Sequence, residues 1–576
     1  MKPRPISYIA LLLFSVVIGL VAGAGALVFR FLIEWFHGLF WGPGPFLDQV
    51  AAAPIGVKLA VPASVGLFAG LVIHYFAPEV RGPGVPEVII SVVSRQSTIR
   101  HRVTFFKALV TSLLIGAGAS VGREGPIVQI GASFGSSLAR LFRMRPELRR
   151  AFLAAGAAAG ISATFNAPVT GTLFAIEIIL LDLDLSHITH IVVASVTASV
   201  LSRLFLGELP AFHTVPFVLA DYRELGVHFA VGLVGGGAAV LFIRLIGWAD
   251  RLFSALPGPD WYKPGLGGLL LGLLALRLPP AMGVGYEIVN VAVDGNLLLG
   301  AAVFMIAGKL VATSLCIGSG MSGGIFVPSL AVGAAMGTVV GLGLDGWLPD
   351  LSLTPAHYAL SGMGAVVAGT TLAPITAIIT IFELTLNEQV ILPLMVASIT
   401  SMAVVRLVQG HSVYEARLLR QGIDIVRGHD VGILRHLSIA DFMTRDYETF
   451  AVHTPLGDIM ERILETPYPH FVVLDENGKL AGFLSIRDVR AMMGDFEILR
   501  NLVVAADIMR QPVVTLSAAD NLETAFHRFE QHPFSCLPVT DSEDPGTVVG
   551  ILKKDDLLQA YHDRVLRDQM LSVPIR

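Results

Sequence analysis

Charge is scarce in this chain: only 15% of its 576 residues are Asp, Glu, Lys or Arg, where a water-soluble domain carries roughly 25%. That shortage excludes a wholly soluble protein. It is also uneven, since residues 1–430 hold 49 charged side chains and residues 431–576 hold 36 in about a third of that length. Cysteine is nearly missing. Cys316 and Cys536 lie in different parts of the chain, which excludes a disulfide framework and a cysteine metal site. Basic excess is absent as well; with a net charge of −5, a nucleic-acid ligand is excluded. The charge-poor part has no phosphate loop or His/Glu pair at metal spacing, so no enzyme is expected there. A cation site should show acidic rings or carbonyl-rich unwound segments rather than one glutamate, which leaves a membrane enzyme or cation transporter with a regulatory tail as the remote alternative.

What fills the space is apolar. Hydrophobic residues make up 54% of the chain and the mean hydropathy is +0.70. Apolar runs lie near 6–29, 57–77, 104–121, 151–181, 188–206, 226–247, 264–281, 296–317, 325–347, 357–382 and 389–409. The first is longer than a signal-peptide core and long enough to span a bilayer, so it reads as a retained first helix. Lys2 and Arg4 before it place the N-terminus in the cytoplasm. Several runs are short or cut by Gly and Pro, which reads as close packing and as broken helices.

An internal repeat organises these runs. Residues 107–126 (KALVTSLLIGAGASVGREGP) align with 309–328 (KLVATSLCIGSGMSGGIFVP), with ten of twenty positions identical. Lys107, Thr111, Gly118, Ser120, Gly122 and Pro126 match Lys309, Thr313, Gly320, Ser322, Gly324 and Pro328. Gly131 and Gly135 continue the register to Gly333 and Gly337, and a second block pairs Gly156, Ala167, Pro168, Thr170 and Glu177 with Gly362, Ala373, Pro374, Thr376 and Glu383. The membrane body is therefore a duplication. Duplicated transporters place their site where the halves meet, on interrupted helices, which points to 118–126 and 320–328.

Gly122-Arg123-Glu124-Gly125-Pro126 and Gly323-Gly324-Ile325-Phe326-Val327-Pro328 both have the form of a glycine-freed loop leading into a helix start. The amides at such a start favour an anion, and the second loop carries no countercharge that would trap one. Glu124 is a carboxylate at membrane depth, a functional candidate in its own right. Among positive helix ends it competes for the anion's place, which makes it a gate. An ion pair of Glu124 with Arg123, bracing the loop, is the competing structural role.

These segments, with GPGVP at 82–86 and Tyr414 in HSVYE, resemble the CLC chloride channels and chloride/proton exchangers. The resemblance implies an all-α polytopic membrane domain of two inverted repeats with broken helices. It implies a homodimer in the lipid bilayer with one pathway for chloride or a similar small anion in each subunit. By position it implies anion contacts at Pro83, Gly84, Val85, Gly122, Arg123, Glu124, Gly125, Gly324, Ile325, Phe326 and Tyr414, with Glu124 as the gate and Tyr414 as the inner hydroxyl. Two departures bear on mechanism. Pro83 stands where the family usually has an ion-contacting serine, as in relatives that prefer nitrate; Arg123, which fluoride-type relatives lose, is retained. Exchangers commonly carry two consecutive glutamates after the FNAP-type segment, and here Ile178 replaces the second while Glu177 keeps the first. A passive gated channel is therefore the expectation, with a proton-coupled chloride or nitrate exchanger as the alternative.

The tail contains a second repeat. Ala440-Asp441-Phe442-Met443 pairs with Ala506-Asp507-Ile508-Met509, and the run Gly482–Val489 with Gly550–Leu557. It is similar to a tandem CBS pair, which implies a soluble α/β module in the cytoplasm and an adenine nucleotide as its regulator, held by Ser485, Asp488 and Asp556. Lys553 stands where the second copy would have Ser or Thr. A purely structural, dimer-stabilising pair is the other reading. The expected boundaries are a transmembrane domain at 1–425 (halves about 1–210 and 211–425), a linker at 426–437, and CBS repeats at 438–493 and 503–562. No metal or required cofactor is expected.

Overall fold

The structure, a computed structural model, describes residues 7–93, 97–181, 188–207, 221–345, 354–420, 437–466, 468–490, 492–511, 513–532 and 534–557. The chain forms two compact units, Met1–Ile425 and Val426–Arg576. Lys2, Arg4 and all but the last residue of the expected linker 426–437 lie outside the described residues, as does the end of the second CBS repeat.

Among its described residues the first unit is built from helices without strands. Its N-terminal half runs α1 (Tyr8–Trp41), α2 (Phe46–Ala52), α3 (Ile55–Tyr75), α4 (Val85–Val93), α5 (His101–Gly116), α6 (Glu124–Leu141), α7 (Pro146–Phe165), α8 (Pro168–Phe174) and α9 (Ile188–Leu206). The C-terminal half runs α10 (Glu224–Ser254), α11 (Lys263–Ala275), α12 (Tyr286–Val293), α13 (Leu299–Gly318), α14 (Phe326–Asp345), α15 (Pro355–Thr371), α16 (Pro374–Thr385) and α17 (Ile391–Val408), with α18 (Val413–Arg420) after it. Seven helical stretches are long and apolar enough to cross a membrane among the described residues. Most of the others are shorter, as the Gly/Pro interruptions predict; α7, at 20 residues, is not.

The repeat dictates where helices stop. α5 and α13 both end on a glycine with positive φ, Gly118 (92°) and Gly320 (97°). In each, the next amide reaches back five residues: Ala119 to Leu114 O at 3.0 Å and Met321 to Cys316 O at 3.1 Å, a cap that only glycine adopts without strain. α8 and α16 both begin on proline after a left-handed residue, Asn166 and Leu372. Gly131 and Gly156 face each other so closely that a Cβ on either would strike the other's carbonyl, and Gly333 and Gly362 repeat the contact. Such approach suits lipid, where packing rather than water exclusion holds helices together.

The halves are braced across a local two-fold. Thr111 bonds Ser322 at 2.7 Å and Ser120 bonds Thr313 at 3.0 Å, so each repeated Thr meets the repeated Ser of the other half. A reciprocal pair of this kind requires two-fold-related repeats.

The second unit holds two three-stranded sheets. In the first, β1 (Glu448–Ala451) pairs parallel with β2 (His470–Leu474), which pairs antiparallel with β3 (Leu480–Ser485). In the second, β4 (Leu516–Ser517), β5 (Cys536–Thr540) and β6 (Val548–Lys553) repeat the order and its register shift. Gly482 lies against Met509 of the second copy and Gly550 against Met443 of the first.

Candidate functional site

Three loops converge in the first unit. Gly122 and Gly324 form an antiparallel bridge, each donating its N–H to the other's carbonyl at 2.6 Å. Gly323 donates to Gly82 O at 3.2 Å. A Cβ on Gly84 would lie 2.7 Å from Gly125 O, and one on Gly125 would strike Pro83 O and lie 3.3 Å from the Gly324 Cα. Glycine is needed at these positions because backbone meets backbone. Immediately after the loops, α4 starts at Val85, α6 at Glu124 and α14 at Phe326. Three helix N-termini, with their unsatisfied amides and positive dipole ends, thus open at one place.

Two buried lysines hold the loops open for that task. Lys107 donates to Val80 O at 2.9 Å and Gly82 O at 2.8 Å, and Lys309 donates to Gly283 O at 2.5 Å. Gly283-Val284-Gly285, leading into α12, is thus the counterpart of Gly82-Pro83-Gly84 leading into α4. The lysines were visible in the repeat, but their role was not, because a lysine stem gives no sign of which carbonyl it will reach.

Glu124 is 1% exposed, and neither carboxylate oxygen has a hydrogen-bond partner. One of them would be struck by a Cβ on Gly122 and lies 3.0 Å from where a Cβ on Gly324 would be, and the backbone amides of Arg123, Glu124 itself and Val327 are its electrostatic neighbours. Arg123 does not pair with it. The guanidinium stacks over the Tyr286 ring at 4.9 Å and reaches Thr164 O at 3.5 Å. A carboxyl side chain therefore sits at the convergence of three helix ends with no cation bonded to it. Bracing by a Glu124–Arg123 pair is not what the loop uses.

Tyr414 is buried in the first turn of α18 and is within electrostatic range of Glu124. A cavity of about 10 Å³, room for one water, is lined by Pro83, Ile325, Val413, Arg417 and Arg420 among others. Asp250 lines it too and pairs with Arg420 at 3.0 Å, while Arg417 lies 3.6 Å from Glu87, so both guanidiniums beside Val413 are matched by acids. Phe326, the first residue of α14, packs against Phe165 and Phe174.

Ile178 stands apart from this cluster, buried in a π-helical turn over Ala175–Leu180 that follows α8. Its neighbour Glu177 crosses to the other half. It accepts from the amides of Ile375 (3.3 Å) and Thr376 (2.7 Å) and from the Thr376 hydroxyl (2.6 Å). Glu383 does the same for the amides of Val169 (3.0 Å) and Thr170 (2.6 Å). Each glutamate caps the other half's helix.

In the second unit, Ser485 and Asp488 meet at the junction of β3 with α19, α19 being Ile486–Arg490. Asp488 accepts from the Ser485 amide (2.9 Å) and hydroxyl (2.5 Å), and from Arg510 of the second copy (2.9 and 2.5 Å). Asp556 occupies the matching place after β6 and is only partly buried. The two copies are therefore unequal. Asp488 is fully engaged, and Arg510 went unnoticed in the sequence because it enters from the other repeat.

Residues 65–406 match the family described as voltage gated chloride channel, and residues 439–495 and 504–563 match CBS domains. A putative chloride channel protein, ClcB-like, from Ralstonia nicotianae is 34% identical over 417 residues, 71% of this chain and 97% of that protein. The H(+)/Cl(-) exchange transporter ClcA of Yersinia pestis is 32% identical over 71% of this chain and 87% of its own length. Among solved structures, a slow cyanobacterial Cl-/H+ antiporter superposes with a TM-score of 0.66 at 26% identity, over 71% of this chain and 97% of its own. A eukaryotic CLC transporter shares the fold over 95% of this chain and 97% of its own, with a TM-score of 0.64 at 20% identity.

Proposed function

We infer that this chain, which belongs to the voltage-gated chloride channel (CLC) family of anion-transporting membrane proteins, exchanges chloride for protons. The observation that carries the site is Glu124: an unpaired carboxylate at the convergence of α4, α6 and α14 holds the place an anion would take. Ionised, the side chain fills the seat. Protonated, it loses its attraction to the helix ends and yields to a chloride ion, so one group alternates between proton and anion. Arg123, turned away onto Tyr286, leaves the seat to backbone amides, which bind an anion without trapping it.

Exchange is preferred over the passive flow first expected because relatives at 32% identity are named as H(+)/Cl(-) exchange transporters. Ile178 still favours a channel as the second reading, since an apolar side chain carries no proton and Glu177 beside it is committed to capping α16. Purified protein in liposomes under a chloride gradient, with proton movement recorded, decides between them. Uphill proton movement driven by chloride establishes exchange; chloride flux with no proton movement establishes the channel.

For the tail we propose regulation by an adenine nucleotide at Ser485 and Asp488, with Asp556 in a weaker second copy. For the assembly we propose a homodimer with the N-terminus and tail in the cytoplasm. Five arginines between 140 and 150 against one acid, Glu147, support that orientation by the positive-inside rule. Phe142 in that stretch packs on Phe14 near the start of α1, with ring centroids 4.5 Å apart.

A further inference from the structure

A cavity of about 480 Å³ lies between α1 and α6, away from the anion site. Val17 and Val21 of α1 form one wall, and Phe134, Leu138 and Leu141 of α6 form the other. These and Ile18 are apolar, Ser137 adds one hydroxyl, and Val17, Val21 and Leu141 are exposed at its rim. Arg140, in the last turn of α6, closes the wall with the only charge among the lining residues described.

The chain leaves this groove through a corner crowded with guanidiniums. Arg140 and Arg149 are close enough to act on each other as like charges. Arg149 has a buried Nε with no hydrogen-bond partner. Arg143 and Arg145 are exposed, and Arg143 holds a positive φ of 49° at the C-terminal cap of α6, where Met144 reaches back to Ala139 O at 2.9 Å. Glycine is the unstrained choice at such a cap. An arginine there accepts backbone strain and in return displays a cation beside the groove. No ion pair among the described residues joins Arg143, Arg145 or Arg149 to an acid.

We propose that this groove binds an anionic phospholipid, with one acyl chain between α1 and α6 and the phosphate among Arg143, Arg145 and Arg149. The apolar walls match a hydrocarbon chain, and the surplus of guanidiniums matches a phosphodiester, which arginine recognises with paired N–H donors. Basic pockets between membrane helices on the cytoplasmic side take acidic headgroups; assignment to that leaflet rests on the orientation proposed above. Free inorganic phosphate supplies the charge without the chain and is not the occupant.

Purified full-length protein, mixed in detergent with equal amounts of phosphatidylglycerol and phosphatidylcholine of identical chains, is analysed by native mass spectrometry. Wild type is expected to retain phosphatidylglycerol preferentially, and excess inorganic phosphate is expected to leave this unchanged. R143Q/R149Q should weaken retention about fivefold per arginine and about thirtyfold together. V21W, which fills the groove, should reduce retention of both lipids there. In wild type, a diazirine on the acyl chain of phosphatidylglycerol should label peptides spanning 17–21 and 134–141, a readout that needs no variant to fold. Equal retention of the two lipids, wild-type retention in folded R143Q/R149Q, competition by inorganic phosphate, or labelling confined to other helices overturns the site. Because none of these readouts involves transport, loss of the lipid site would leave the chloride–proton reading standing, and the reverse.

Discussion

Glu177 and Thr376, one in each half of the duplication, are joined twice: the Thr376 amide donates to the carboxylate at 2.7 Å and its hydroxyl at 2.6 Å. The carboxylate closes the open end of α16, so its removal strands amides at the start of a buried helix. Hydrogen bonds to a charged group contribute about 1.5–3 kcal/mol each. Glu177→Ala should therefore destabilise the protein by about 2 kcal/mol or more, read as a lower midpoint of thermal unfolding in detergent. Its ratio of protons to chloride should stay at the wild-type value. A changed ratio in a well-folded variant would return Glu177 to the proton path.

Glu124→Gln removes the charge that competes for the helix ends while keeping the shape. Chloride flux in liposomes is expected to persist and to lose its dependence on pH, and proton movement is expected to stop. Proton coupling that survives in this variant would show that another group carries the proton.

Pro83→Ser restores a hydroxyl where the loop now has none. The ring of Pro83 fixes the backbone, and its carbonyl touches Gly125, so the loop geometry tolerates the change only if the serine keeps that conformation. The expected result is a shift from nitrate towards chloride in the ratio of fluxes measured separately with each anion. An unchanged ratio would show that anion choice is set elsewhere.

Gly125→Ala tests the convergence itself. Its methyl group would meet Pro83 O and the Gly324 Cα together, and backbone cannot step aside as a flexible side chain does. Overpacking of this kind costs about 1–3 kcal/mol. Loss of anion binding by calorimetry, with a lower unfolding midpoint, is expected; wild-type affinity would mean that the loops are not in contact.

In the tail, burial pushes the Asp488 carboxyl up, but the bonds from Arg510 and Ser485 outweigh it and hold the group below the ordinary carboxylate range. A lowered folded value means that the ionised form is the one bound. This contribution is complete above the unfolded value of about 4 and disappears as pH falls through the folded value. Hydrogen exchange across 485–510 in the full-length protein should be independent of pH-driven unfolding near neutrality and should accelerate in acid. Asp488→Asn should show the acid-like rate, corrected for intrinsic chemistry, already at neutral pH. AMP binding, if it uses Asp488, must also displace Arg510, so Arg510→Ala should tighten AMP while Asp488→Ala abolishes it.

The sequence was most informative where the duplication fixed chemistry on both copies. Gly118 and Gly320 and Ser120 and Ser322 match at an offset of 202, Glu177 and Glu383 at 206, and each pair has one physical task done twice. Gly82-Pro83-Gly84 and Gly283-Val284-Gly285 are also counterparts, yet two shared glycines among so many gave no usable signal. Contacts that arise only on folding were hidden altogether. Nothing in the run around Arg123 announces that its guanidinium will lie on Tyr286, 163 residues later. The exchanger preference was hidden for a different reason: Ile178 removes a proton carrier without showing what replaces it.

The bridge between Gly122 and Gly324 has a bearing on how such a pathway can open. Its two short bonds rivet the halves together at the very rim of the anion's seat. Rocking one repeat against the other would tear both rivets and leave four backbone groups unpaired in a dry interior. Opening through such a rigid frame would fall to small swings of individual side chains rather than to lobes that part like jaws.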